Sequence, residues 1–181
     1  PRYWRNSDFE VFRWTLNPEV VVIAFPDYAA QSRWFGRLAY FLEKDGYRGT
    51  ILGEDEIQGL HDWNAHNYSA EGLAAFFAKA RAAGTELRKE EARLAELALA
   101  WGILSRKGQD LVPAKGGMLS FTFDPRSNHA TRQLLLGHEA LHGLYYGLPS
   151  LRSASEQALA ALSGNAREFL FDYFRYHRYD T

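Results

Sequence analysis

Residues 131–147 read TRQLLLGHEALHGLYYG, and His138, Glu139 and His142 within them carry the chemistry of the chain. Two histidines four apart on a helix project from one face, one turn above the other. Both imidazoles can then reach one metal ion, and Glu139 between them can reach a water beside it. This His-Glu-x-x-His spacing is that of a zinc-binding pair with an intervening general base. The flanks agree with a helix. Pro125, Ser127 and Asn128 break the chain and offer N-caps, no proline follows until Pro149, and Gly147 supplies a stop. The pattern predicts a helix over 129–146, with Leu134, Leu135, Leu141, Leu144 and Tyr145 as its apolar stripe and the two histidines on the flank. Gly137 and Gly143 each cost a helix about 1 kcal/mol against Ala, so a packing or access reason is expected for them.

His138, Glu139 and His142 resemble the active-site helix of the zincin metallopeptidases. The resemblance covers this helix and the strand before it. It implies His138 and His142 as ligands of Zn2+, Glu139 as the catalytic base, and a peptide or protein as substrate. In zincins an edge strand just before this helix binds the substrate in extended form. Residues 118–123 (MLSFTF) would be that strand, with Gly116 and Gly117 letting a substrate backbone come close. An interior or covered strand is the alternative.

Catalytic zinc takes three protein ligands and a water. The residues after His142 lack the further His or Asp of a metzincin pattern, which points to a carboxylate from a later helix, as in the gluzincins. Glu168 is one candidate, with Asp172 on the same helix face. Glu156 is the other. Ser153-x-x-Glu156 and Asn165-x-x-Glu168 also match capping boxes, which account for both glutamates without any metal. Asp172, His177 or a residue outside the chain are further possibilities, so the third ligand stays open. Tyr145, Tyr146, Tyr173 and His177 are available to stabilise an oxyanion.

The rest of the chain sets the frame. Its 181 residues, 46% hydrophobic, suffice for one core, and a single zincin-like metallopeptidase domain over 1–181 is expected. A net charge of −1 gives no reason to expect nucleic acid as partner. The absence of cysteine excludes disulfides and thiolate ligands. No apolar run is long enough to span a membrane. The chain starts at Pro1 without a Met, which fits a mature or excised portion of a longer protein, and an exported or cell-envelope protein is slightly favoured over a cytoplasmic one.

The fold class expected is α+β: a small mixed sheet packed against several helices, with a helical C-terminal part. Residues 8–16 and 20–25 read as strands, the second buried on both faces. Asp27 opens a helix to about Lys44, with Trp34, Phe35, Leu38, Phe41 and Leu42 inward. Residues 49–52 read as a short strand. Residues 54–68 hold His61, Asp62, Trp63, His66 and Tyr68 in weak periodicity, either a wall of the site or, the preferred reading, a turn anchored to the core. Ser69 caps a helix to about Ala83, and Thr85 caps another to about Leu104, the two forming an antiparallel pair. Leu87, Leu94, Ala98 and Trp101 face inward on the second, while Lys89, Glu90, Glu91 and Arg93 form a solvated face. Residues 107–117 read as a loop. The alternative function is a non-catalytic binding or scaffold domain of an envelope protein with a degenerate zinc site, using Trp63 and Tyr68 to stack on sugars or a partner.

Overall fold

Residue patterns along the strands explain the order of the sheet. Val20–Phe25 (β2) is apolar at every position and is covered on both faces. It pairs antiparallel with Glu10–Arg13 (β1) and parallel with Gly117–Thr122 (β6), whose other side pairs antiparallel with Ala65–Ser69 (β3). The order is therefore β1-β2-β6-β3. The computed structural model describes residues 5–61, 63–124 and 128–176, and Asp62, Pro125, Ser127 and His177 lie outside that set. Among the described residues there are six strands and seven helices, an α+β architecture.

Strand side chains alternate between two faces. Val21, Ile23, Phe25, Tyr68 and Met118 enter the main core with Tyr28–Glu43 (α1) and Ala70–Ala82 (α3). Trp34, Phe35, Leu38 and Phe41 are the buried stripe of α1, and Asp27 caps it by accepting from the Ala30 N–H at 2.8 Å. Ser69 ends β3 and caps α3, accepting from the Gly72 N–H at 3.2 Å. Lys89–Ala100 (α4) begins and ends four residues inside the span expected for it. It and α3 each pack on α1 instead of forming a hairpin with one another.

Several expectations are corrected. Residues 49–52 form no strand, and a four-residue helix, Glu54–Ile57 (α2), follows them. Most of the loop expected over 107–117 belongs instead to a hairpin, Leu104–Lys107 (β4) with Asp110–Pro113 (β5), turning at Gly108 with φ +64°. Glu91 is not solvated. It is 1% exposed and accepts from Arg37 Nε at 2.8 Å, while the same guanidinium donates to the carbonyls of Glu86 and Leu52. Arg37 is 3% exposed, so this is a buried ion pair that joins α1 to α4 and ties down the loops before α2 and α4.

On the opposite face of the sheet lies one long helix, His129–Gly147 (α5). Asn128 caps it, accepting from the Thr131 N–H at 2.8 Å. Gly143 lies close against the sheet: a Cβ built there would stand 3.1–3.2 Å from Leu119, Trp14 and Val20. Asn17, buried beneath the helix, donates from Nδ2 to the Gly143 carbonyl at 2.9 Å, and its amide occupies the space a side chain at Gly147 would need. Gly143 thus has the packing reason expected of it, whereas nothing lies within 4 Å of a Cβ at Gly137. Pro149–Ala161 (α6) and Gly164–Tyr176 (α7) follow with no buried residue between them.

The approach at Gly143 gives a test of what seats α5. Gly143→Val forces β-branched bulk against Leu119, Trp14 and Val20 and is expected to destabilise the fold by about 1–3 kcal/mol, read as a lower urea midpoint at unchanged slope. Gly137→Ala, in open space on the same helix, is expected to be neutral or stabilising by up to about 1 kcal/mol.

Candidate metal centre

The face α5 turns to the sheet is not its leucine stripe. Leu134 and Leu141 are 74% and 65% exposed, and the buried residues of the helix are Glu139 and Gly143. Leu135 alone of the leading leucines reaches a core cluster, with Ala24, Ala65 and Phe121. Tyr146 lies over Gly117, where a Cβ would meet its ring at 2.9 Å. The inward line of the helix therefore runs Leu135, Glu139, Gly143 and Tyr146, spaced three or four apart. Gly116, with φ +65°, is packed against the Glu19 backbone. The two glycines serve Glu19, Tyr68 and Tyr146, not an approaching substrate.

His138 and His142 converge at the rim of this face. Their Nε2 atoms are 3.3 Å apart, with ring centroids at 5.0 Å and planes inclined by 64°. Two imidazole nitrogens bound at about 2.0–2.1 Å to one tetrahedral zinc ion would stand roughly 3.3–3.4 Å apart. The same 3.3 Å is also hydrogen-bond distance between the two rings. Burial holds the His142 pKa below its usual value, as does the nearby His138, and so favours the neutral ring a ligand requires.

Glu139 is 6% exposed and accepts from Asn67 Nδ2 at 2.8 Å through Oε2. Burial raises its pKa above the ordinary carboxylate value, opposed by the Asn67 hydrogen bond and the charge of His138. Asn67 Oδ1 in turn accepts from the Tyr146 hydroxyl, and burial raises the pKa of that phenol, which stays protonated. A continuous path thus runs from Tyr146 through Asn67 to Glu139, joining the middle and the C-terminal end of α5 to β3.

Asn67 is the residue of this cluster that the sequence does not single out. Its signal was the alternation in Ala65–Ser69: His66 and Tyr68 point to the α1 side, Asn67 to the α5 side. The expected substrate strand is corrected as well. β6 is interior, paired on both sides, and the strand at the sheet edge beside α5 is β3. The anchored-turn reading is corrected in part: residues 65–69 are strand β3, Tyr68 is in the core with His66 buried beside it, and Trp63 is exposed and anchors nothing there. The Tyr68 hydroxyl is 2.9 Å from His66 Nδ1, and Phe35 stacks against both rings. His61 stacks on Tyr28 with centroids 4.1 Å apart, away from the histidine pair, and Trp63 is exposed with the Lys44 ammonium over its ring.

Among the described residues no third His, Cys, Asp or Glu joins His138 and His142 in a group able to hold a metal. Glu156 accepts from the Tyr145 hydroxyl at 3.3 Å, Glu168 is exposed on α7, and Asp172 pairs with Arg175 at 2.6 Å. The Tyr145 hydroxyl donates to Glu156 and that of Tyr146 to Asn67, and Tyr173 is half exposed on α7. No helix among the described residues is long and apolar enough to cross a membrane. Comparison with known proteins returned no matching family, no similar curated protein and no similar solved structure.

Burial of His66 depresses its pKa from 6.5 to about 3, so between those values the unfolded chain binds the extra proton. The contribution of His66 is full above pH 6.5 and is lost as pH falls toward 3, with a slope of at most about 1.4 kcal/mol per pH unit. Urea titrations across this window are expected to show a shallower pH dependence for His66→Asn than for wild type.

Proposed function

We propose that this chain is a zinc-dependent peptidase domain with a zincin-like arrangement, on the strength of a helix whose two imidazoles stand at the spacing a shared zinc requires. The 3.3 Å convergence of His138 and His142 Nε2 carries the reading. Both rings supply nitrogen donors suited to Zn2+, and the third donor is left to residues outside the described set. Bound zinc supplies a Lewis acid that activates water and polarises the scissile carbonyl. Glu139 takes the proton from the attacking water and passes it to the leaving amine. Its partly buried carboxyl, with a raised pKa, is suited to both transfers. An extended peptide would add alongside β3, the last strand of the sheet, its main chain running beside α5. The gluzincin assignment within this class rests on the sequence pattern after His142.

A binding or scaffold domain is the second reading. The exposed Leu134, Leu141 and Phe169 and the stacked Trp63 favour it, since apolar side chains in solvent mark contact surfaces. Metal analysis separates the two: a scaffold copurifies with no zinc and gains no affinity on addition.

Glu139→Gln is expected to keep zinc, measured by metal analysis, and to lose hydrolysis of a quenched fluorescent peptide library by about 10²–10⁴-fold. His142→Ala is expected to lose zinc and activity together. Turnover by Glu139→Gln equal to that of wild type removes the peptidase reading.

A further inference from the structure

We propose that Asn67 is a positioning residue whose amide, oriented by the Tyr146 hydroxyl, fixes the Glu139 carboxylate for proton transfer; the inference rests on the peptidase reading. Polarity selects one arrangement. With Tyr146 O–H donating to Oδ1, the Asn67 Nδ2 group faces Glu139 Oε2 at 2.8 Å. Turning the amide over would set Oδ1 against an ionised carboxylate, acceptor against acceptor. The tyrosine is itself placed by Gly117, whose missing side chain makes room for the ring. Asn67, Tyr146 and Glu139 therefore hold one another in a fixed sense, across 72 and 79 residues of sequence.

The consequence for the chemistry is a choice of oxygen. Oε2 is occupied by the amide donor, which leaves Oε1 as the other carboxylate oxygen. Oε1 is then the atom that receives the proton from water, while Nδ2 continues to donate to Oε2 in both protonation states. Proton transfer proceeds without rotation of the carboxyl, which removes one reorganisation from the step.

The test uses the whole zinc-loaded chain and the variants Asn67→Ala, Asn67→Asp, Tyr146→Phe and the Ala/Phe double. Asn67→Ala is expected to lower kcat by about 10–100-fold with KM and zinc affinity within about twofold of wild type. Asn67→Asp keeps the shape but loses the donor and faces Glu139 with like charge, so kcat falls at least as far. Tyr146→Phe is expected to cost about 3–10-fold and to add nothing to Asn67→Ala, because it acts through that residue. Wild-type kcat in either Asn67 variant, or effects that multiply in the double, overturns the proposal. A second readout does not need turnover. In urea, Asn67→Ala is expected to lower the folding equilibrium constant by about 3–10-fold in wild type and by less than about twofold in a Glu139→Ala background. Equal losses in both backgrounds overturn the Asn67–Glu139 link. A wild type that hydrolyses no peptide instead removes the peptidase reading, with the urea cycle still deciding the link.

Discussion

The closeness with which α5 lies on the sheet governs the rest of the molecule. Gly143 removes the side chain at the contact, Asn17 reaches up from beneath to hold its carbonyl, and Tyr146 settles over Gly117. A helix seated this tightly can turn a carboxylate inward and still satisfy it, because β3 brings the amide of Asn67 within hydrogen-bond distance. The neighbouring histidines, a fraction of a turn away, are left at the rim with their Nε2 atoms together. Packing, not propensity, orients the helix: its most apolar positions, Leu134 and Leu141, point away from the sheet.

This polarity accounts for what could and could not be read from sequence. The extents of β2, α1, α3 and α5 were legible because continuous apolar runs and side-chain caps are local signals. The facing of α5 was not, since a leucine count presumes that the greasiest side is the buried one. β3 hid for a related reason. Its five residues place His66 and Tyr68 in the core and Asn67 toward α5, so polar and aromatic groups alternate where a strand pattern would show apolar and polar ones. The hairpin β4–β5 was obscured by its largely charged and exposed first strand.

The candidate site divides the same way. The histidine pair lies within one turn of one helix, so spacing alone predicted its convergence. Asn67 depends on strand order, with β3 arriving at the edge of the sheet after β6 has been inserted between it and β2. No window of sequence contains that information. The charge on Glu91 carried a similar ambiguity, resolved only by Arg37, 54 residues earlier in the chain.

That internal ion pair has a consequence for how the chain can vary. Losing either partner strands the other as an isolated charge in the interior, at a cost of about 3–5 kcal/mol, whereas two apolar replacements of matched volume are often tolerated. Positions 37 and 91 are therefore bound to drift in tandem or stay put. A lineage that exchanges one first must pass through a poorly folded intermediate before the second can follow.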